Sequence, residues 1–254
     1  LHVNAWSPKI SSKNYDIRSA RTLAKCRNSR RSDGAYYGSR PLMVNQTRTL
    51  VMGILNVTPD SFADGGRHFS LNDAVARATA MAEEGVDIID IGGESTRPGS
   101  LRISSEEERE RVLPVIEEIS KLGIPLSIDT TRSEIAEIAI KHGALFVNDI
   151  SGGLQDPLMS KVIAANPQIQ YIAMHWRGES KDMQDRAIYK DVVSDVKSEL
   201  EERAQTLVDE GVAPEQIILD PGIGFAKTGE HNWEILRNID RFQLLGFPIM
   251  VGVS

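Results

Sequence analysis

A regular alternation of short apolar runs with segments of helical periodicity constrains the fold of this chain more than any other feature of its sequence. The alternation begins at Thr49 and continues to Ser254. Seven runs predict β-strands: Leu50–Leu55, Val86–Ile91, Pro125–Asp129, Leu145–Ile150, Gln170–Met174, Gln216–Asp220 and Pro248–Val251. The segments between them predict six helices, at about residues 72–84, 105–121, 133–142, 155–165, 191–210 and 231–239. Strands that alternate with helices are typical of βαβ units and a parallel sheet.

Polar residues at the ends of the predicted strands indicate which parallel architecture is formed. Every strand ends in, or runs into, one of these residues: Asn56, Asp90, Asp129, Asn148, His175, Asp220 and Ser254. In a barrel the carboxyl ends of all strands converge on one mouth, whereas an open sheet concentrates its polar residues near one switch point. The pattern therefore favours an α/β fold of the (β/α)8 TIM-barrel type. We expect the barrel to be incomplete, with about seven strands present and with unpaired edges at the first and the seventh.

The composition excludes several classes of protein. The chain has 254 residues, 41% of them hydrophobic, which is enough for a sizeable core. Its net charge of −7 gives no general case for nucleic acid as a partner. Cys26 is the single cysteine, so a disulfide framework is excluded. The sequence contains neither an apolar run long enough to cross a membrane nor a secretory signal, and we expect a cytoplasmic protein without membrane contact.

Residues 1–48 differ in composition from the rest of the chain. They contain ten Lys/Arg and two acidic residues, and they are rich in serine. We expect a basic leader or linker without stable structure, followed by one barrel domain over residues 49–254. An Arg-rich, Ser-rich and acid-poor segment is also typical of a transit peptide, so organellar targeting stays open as an alternative.

The loops after the first two predicted strands contain residue types that bind ligands. Asn56 offers a neutral oxygen that suits a hard cation such as Mg²⁺. Gly92 and Gly93 allow a ligand to approach the backbone closely, and Arg97 offers a fork of donors suited to a phosphate or a carboxylate. The alternative for each loop is an ordinary turn, with the arginine in a surface ion pair.

Acidic residues at the strand ends also have two interpretations. Asp129 and Asp220 could each cap the next helix, as most single cases do. Several carboxylates in one mouth, however, repel one another unless a ligand brings N–H donors or a metal. Asn148 and Asp149 must point to opposite faces of their strand, so only one of them can face the mouth. His175 is interpreted as a structural, hydrogen-bonded histidine rather than a base.

Other catalytic signatures are missing from the sequence. It has no G-x-x-x-x-G-K-[ST] motif, no G-x-G-x-x-G after a strand and no G-x-S-x-G elbow. It also has no His/Cys cluster with the spacing of a zinc site. These absences argue against P-loop, dinucleotide-binding and serine-hydrolase chemistry.

Two long segments, 53–62 and 90–99, resemble the signature segments of the dihydropteroate synthase family. Three shorter segments, 148–150, 174–175 and 220–227, resemble later motifs of that family, in the same order and at the same spacing. The resemblance covers residues 49–254. It implies an enzyme that condenses p-aminobenzoate with 6-hydroxymethyl-7,8-dihydropterin pyrophosphate and releases pyrophosphate, with Mg²⁺ as cofactor. The family often forms homodimers and is the target of sulfonamides.

The resemblance also implies roles for individual residues. Asp90, Thr96 and Arg97 are expected to be catalytic: Asp90 assists the first two loops, and the other two position the leaving group and the aminobenzoate. Asn56 is expected to help hold Mg²⁺. The expected substrate-binding residues are Asp129, Asn148, Met174, Asp220, Phe225 and Lys227. Of these, the first two and Asp220 would bind the amino-pyrimidinone edge of the pterin, while Met174 and Phe225 would line its faces.

The sequence departs from the family pattern at its end. The family continues past Ser254 with an Arg-Lys pair and an eighth strand that carries an Arg and a His, and Lys227 is not the counterpart of that lysine. We therefore expect residues 1–254 alone to be poorly stable and inactive. Two alternatives stay open: a methyltetrahydrofolate:corrinoid methyltransferase, which would share the pterin pocket, and an inactive pterin-binding fragment.

Overall fold

Eight strands form a closed barrel in the computed structural model, which describes residues 3–7, 48–58, 71–95, 100, 102–178 and 183–252. The strands are β1 Val3–Ser7, β2 Leu50–Asn56, β3 Ile88–Gly92, β4 Leu126–Asp129, β5 Ala144–Asp149, β6 Gln170–Met174, β7 Ile217–Asp220 and β8 Ile249–Val251. The helices are α1 Leu71–Glu84, α2 Ser105–Ile119, α3 Ser133–Lys141, α4 Met159–Ala164, α5 Val192–Asp209, α6 Gly229–Arg237 and α7 Ile239–Gln243. Three 3₁₀ turns lie at Ser120–Leu122, Met183–Arg186 and Pro214–Gln216.

Strands β2 to β8 are parallel, which confirms the seven-stranded barrel predicted from the sequence. The expectation of two unpaired edges is wrong. Strand β1 runs antiparallel between β2 and β8, and the backbone of Ala5 pairs with Val51 on one side and Val251 on the other. Without β1, the facing edges of β2 and β8 would each present a row of unpaired N–H and C=O groups. Strand β1 pairs with both of these edges. A five-residue strand within a basic, Ser-rich segment has no periodicity long enough to reveal it.

Alternation along the strands separates two apolar cores. Inside the barrel lie Leu50, Met52, Ile88, Phe146, Ile172, Ile218 and Met250. A larger core between the outer face of the sheet and the helices contains residues such as Ile89, Ile116 and Leu219. Because side chains of a strand alternate between faces, the inward positions nearest the carboxyl ends lie above the inner core, at the mouth.

The strand register brings the predicted site residues to neighbouring positions. Gly92 pairs with Asp129, and Asp129 pairs with Asn148, so these three form one row around the barrel. Met174 pairs with Asp220 on the next two strands. Asp90 lies two residues before Gly92 and pairs with Ser127. The positions of these strand residues therefore follow from the register of the barrel.

Replacement of Phe146 by alanine should test the inner core. Its ring is fully buried inside the barrel, so Phe146→Ala should lower the free energy of unfolding by about 3–5 kcal/mol. Urea unfolding followed by circular dichroism measures the loss. Leu244→Ala is the matched control, because Leu244 is 80% exposed and its removal should cost less than about 0.5 kcal/mol. Equal losses in the two variants would contradict a packed barrel interior.

Candidate active site

Asp90 and Asn148 form the deepest polar contact of the mouth. The Asn148 side-chain amide donates to Asp90 Oδ2 at 2.9 Å, and both side chains are buried. Asp90 Oδ1 has no hydrogen-bond partner among the residues that the structure describes. Burial raises the pKa of Asp90, and the neighbouring Ser127 hydroxyl and Asn148 amide offset this rise only in part. Since the Asn148 nitrogen is used by Asp90, its amide oxygen is the atom left for a ligand.

Asp149 lies on the opposite face of β5, as the alternation of the strand predicts. Its carboxylate is buried and accepts hydrogen bonds from the backbone and hydroxyl of Ser151, from Gly153 N and from the Tyr171 hydroxyl, at 2.7–2.9 Å. The Asp149 carboxylate therefore stabilises the loop after β5 and does not face the mouth. Asn148 is the residue of the pair that can meet a ligand.

Gly92 separates Asp129 from Asn56 at the rim of the mouth. A Cβ atom at Gly92 would lie 3.3 Å from Asn56 Oδ1 and 3.3 Å from Asp129 Oδ2. Both oxygens are therefore within reach of a molecule that enters over the backbone of Gly92. The pKa of Asp129 is raised well above its usual range, mainly by burial and to a smaller extent by the charge of Asp90. A ligand that offers N–H donors would relieve this cost.

Asp220 is the third acceptor of the mouth. It is 3% exposed, and its Oδ1 accepts a hydrogen bond of 2.7 Å from Gly222 N. Burial raises the pKa of Asp220 to about 7, against the opposing effects of Gly222 and Lys227. The side chain therefore changes charge close to neutral pH.

Apolar side chains lie beside these acceptors. Met174 is buried at the end of β6, next to Asp220 in the register. Its Cγ would be 3.2 Å from a Cβ at Gly222, which has φ +70°, so both the space and the backbone conformation favour glycine there. Phe225 follows in the same loop and is partly exposed. A flat ring held between such residues would be recognised by contact on its faces.

Lys227 is buried beneath this loop. Its side chain is 3% exposed, and Nζ donates to Phe225 O and to His175 Nδ1, each at 3.0 Å. His175 Nε2 contacts Glu199 Oε2 at 2.9 Å, and Arg177 binds the same carboxylate. Burial lowers the pKa of His175 to about 4. His175 is therefore neutral at physiological pH and has the structural role that was expected.

The loop after β3 is held by a separate ionic network. Arg132 binds the carboxylates of Glu94 and Glu108, and its guanidinium also donates to Ile103 O at 2.5 Å. Glu108 is buried and accepts a further hydrogen bond of 2.6 Å from Thr130. The network fixes both ends of the segment that contains Thr96 and Arg97. These two predicted residues lie outside the described residues.

Sequence reasoning missed Arg132, Glu108, Glu199 and Tyr189. Each belongs to a helix or a loop far along the chain from its partner, as Glu199 does from His175. No local motif marks such a contact, because it depends on how a helix packs against the barrel. An acidic residue one helical turn from buried positions, as Glu199 is from Val196, is the one available signal.

A metal site made of protein ligands alone is not found. Within the described residues no three His, Cys, Asp or Glu side chains are grouped to hold a metal ion. Asn56 alone nevertheless fits Mg²⁺ that arrives with a phosphate ligand, since this ion commonly keeps its waters and substrate oxygens and takes one or two from the protein. No helix in the described part of the chain is long and apolar enough to cross a membrane.

The comparisons with known proteins agree with this geometry. The family model described as "Pterin binding enzyme" matches residues 52–254. The dihydropteroate synthase of Synechocystis sp. is 48% identical over 225 residues, which cover 86% of this chain and 78% of that protein.

Solved structures show the same similarity. Dihydropteroate synthase from Xanthomonas albilineans with 4-aminobenzoic acid has a TM-score of 0.72 and 38% identity, with 79% of this chain and 73% of that chain covered. The enzyme from Anaplasma phagocytophilum with bound 6-hydroxymethylpterin-monophosphate has a TM-score of 0.70 and 41% identity, with coverages of 78% and 76%. This chain belongs to the pterin-binding enzymes and, within them, to the dihydropteroate synthase family.

Acidification should destabilise the fold through His175. Its pKa is about 4 in the folded protein and about 6.5 when exposed, so the stability that it contributes is present above pH 6.5 and is lost as the pH falls through 4. The full loss is on the order of 3 kcal/mol. Urea unfolding at pH 7 and pH 4.5 measures it, with His175→Gln as the control that cannot titrate. Parallel pH dependence in both proteins would contradict a neutral, buried His175.

Proposed function

We propose that the mouth of the barrel binds a dihydropterin by its amino-pyrimidinone edge and that the chain catalyses dihydropteroate synthesis. The observation that carries this proposal is the convergence of three acceptors, Asp129, Asn148 and Asp220, on one end of the barrel. Met174 lies next to Asp220 in the register, and Phe225 lies in the loop that follows Asp220. The pterin edge presents neighbouring N–H donors, and a carboxylate can accept two of them. Relatives solved with 4-aminobenzoic acid and with a 6-hydroxymethylpterin phosphate support the same assignment.

The acceptors differ in how they are prepared for the ligand. Asp90 uses the Asn148 nitrogen and so presents the Asn148 oxygen to the pterin. Asp220 is fixed by Gly222 N, which leaves its second oxygen available. Ligand N–H donors would replace the water molecules that burial removes from these acceptors. The resulting hydrogen bonds would be stronger in a site of low polarity than in water.

The leaving group is expected to lie toward the rim. Asn56 would contribute one oxygen to Mg²⁺, which when bound would neutralise charge on the pyrophosphate. Thr96 and Arg97, in the loop that Arg132 anchors, are proposed to bind the leaving group and the aminobenzoate. The segments 57–68 and 92–104 would then close over both substrates and exclude water.

The reaction that these roles support has two stages. The C–O bond to pyrophosphate breaks, and the electron-rich dihydropterin carries the resulting positive charge on its exocyclic methylene. The carboxylates around the ring stabilise this charge. The amino group of p-aminobenzoate then attacks the methylene carbon and loses a proton. No protein nucleophile is needed. The relatives named as synthases favour this reaction over corrinoid-dependent methyl transfer.

We also propose a domain organisation, a location and partners for this chain. Residues 1–48, of which Val3–Ser7 pairs with the barrel as β1, would be a basic leader to the domain over 49–254, and the family model begins at residue 52. The chain would act in the cytoplasm unless this leader targets an organelle. Because its net charge is −7, it would bind small molecules rather than nucleic acid. It would also form homodimers.

Removal of one acceptor should abolish pterin recognition. In Asp129→Asn and Asp220→Asn the amide offers one acceptor instead of two and adds an unpaired donor, so affinity for 6-hydroxymethylpterin should fall at least about 100-fold. Quenching of the pterin fluorescence measures binding. Asp240→Asn, an exposed position on α7, is the matched control and should bind as the unmodified chain does.

Product formation is the second measurement on the same variants. Dihydropteroate formation with Mg²⁺ should be assayed for residues 1–254 and for a form extended through the expected Arg and His, with each substitution in both. A folded chain that binds no pterin and forms no product, in either length, would contradict the proposal.

Pterin affinity should rise with pH near neutrality. Asp220 has a pKa of about 7, so it is protonated below that value and ionised above it, and only the ionised form accepts two N–H groups. The affinity should fall by roughly tenfold for each pH unit below 7. Titration of the same ligand between pH 5.5 and 8.5 measures this slope, and the ionisation of the free ligand is measured separately. Asp220→Asn should remove the slope; an unchanged slope would assign it to another group.

A further inference from the structure

Lys227 is one of the least exposed charged residues described, and its amino group makes its hydrogen bonds with groups of the protein. Nζ donates to Phe225 O and His175 Nδ1, both at 3.0 Å. A Cβ at Gly222 would lie 3.5 Å from Nζ, so the amino group lies next to the Gly222 backbone, whose N–H binds Asp220. Burial of an amino group is costly unless its hydrogen bonds are made within the protein. Lys227 satisfies this condition with groups of the protein rather than with an exposed site.

The contacts of His175 orient this amino group. Because Nδ1 accepts from Lys227, the ring proton lies on Nε2, which donates to Glu199 Oε2 at 2.9 Å. Glu199 belongs to α5 and also binds the Arg177 guanidinium. Two hydrogen bonds in series therefore connect α5 to the loop after β7. The tautomer of His175 is set by charged neighbours on both sides.

Tyr189 supports the same loop from a second direction. Its hydroxyl donates to Ala226 O at 3.0 Å, and the Arg177 guanidinium lies 4.0 Å from the centre of its ring. Two successive carbonyl groups, of Phe225 and Ala226, thus accept hydrogen bonds from buried or half-buried side chains. Both donor residues are connected to Glu199: Lys227 through His175, and Tyr189 through Arg177.

The loop that receives these bonds has an unfavourable backbone. Gly222 and Gly224 have φ of +70° and +87°, and Ala226, with φ +49°, is the one non-glycine residue with positive φ in the described part of the chain. A non-glycine residue in this region is strained and persists only where its surroundings hold it. The strained turn lies between Asp220 and Lys227 and contains Phe225.

We propose that Lys227 and Tyr189 are positioning residues for pterin binding, which hold the turn 222–227 so that Phe225 and Asp220 keep their places at the mouth. His175 and Glu199 act through Lys227 by orienting its amino group. The inference rests on the proposed function, and it replaces direct substrate contact by Lys227 with an action through the turn.

The electrostatics around Lys227 are compatible with this role. The charged or titratable groups that face it are Asp220 on β7, His175 and Arg177 after β6, and Glu199 on α5. Burial lowers the pKa of Lys227 to about 7. Either form of the amine donates hydrogen bonds, so the hold on Phe225 O persists across this titration.

Two substitutions test the proposal in the full chain. Lys227→Met keeps the length of the side chain and removes its donors, and Tyr189→Phe removes a single hydroxyl. Each should raise the Kd for 6-hydroxymethylpterin, by about tenfold and about threefold, since each releases one carbonyl of the turn. The double variant should raise Kd by less than the product of the two, because both donors hold one turn. Lys161→Met, an exposed lysine on α4, is the matched control and should leave Kd unchanged.

Hydrogen exchange shows whether the effect passes through the turn. Amides of residues 222–227 should exchange faster in both variants, while those of β3 to β5 should not change. If Lys227 touched the substrate directly, Tyr189→Phe would bind pterin normally, and that result overturns the proposal. Unchanged Kd in folded Lys227→Met also overturns it; should this variant not fold, Tyr189→Phe decides alone. An unmodified chain that binds no pterin contradicts the proposed function itself and is recognised before any variant is compared.

Discussion

The enclosure of several carboxyl groups at one end of a barrel is the constraint on which the rest of this structure depends. Asp90, Asp129 and Asp220 lie on three strands whose register brings them to the same mouth. Burial raises the pKa of each, because the charged carboxylates are poorly solvated there. In the proposed function a ligand with neighbouring N–H donors would reduce this unfavourable desolvation, and a ligand without them would not.

The protein limits this cost by giving each acid a different environment. Asp90 receives the amide of Asn148, and Asp220 receives a backbone N–H from Gly222. Asp129, at the rim, also has a raised pKa, to which the charge of Asp90 contributes, and it has Asn56 as its neighbour across Gly92. A second set of charges lies outside the mouth, around Glu199 and around Arg132, and it fixes loops rather than facing a ligand. In the proposed function the inner set would meet the substrate, and the outer set would hold the loops around it.

Much of this could be predicted from the sequence because strand alternation is local. The seven parallel strands follow from short apolar runs that alternate with helical segments, and polar residues stand where those runs end. The opposite directions of Asn148 and Asp149 follow from the period of two along a strand. Strand β1 could not be predicted, since five residues in a basic segment carry no sustained pattern and their pairing depends on edges formed far along the chain. The contacts of Lys227 were also hidden. A buried lysine in a loop motif suggests a ligand, and only the folded structure shows that His175 and Phe225 accept two of its hydrogen bonds.

A crystal structure of the chain with 6-hydroxymethylpterin is the most direct test of the central claim. We expect the amino-pyrimidinone edge to lie within about 3.2 Å of Asp129, the Asn148 oxygen and Asp220, with Met174 and Phe225 against the faces of the ring. Lys227 Nζ should keep its contacts with His175 and Phe225. A ring bound elsewhere, or bound in the mouth with its N–H edge turned away from these acceptors, would contradict pterin recognition by this site.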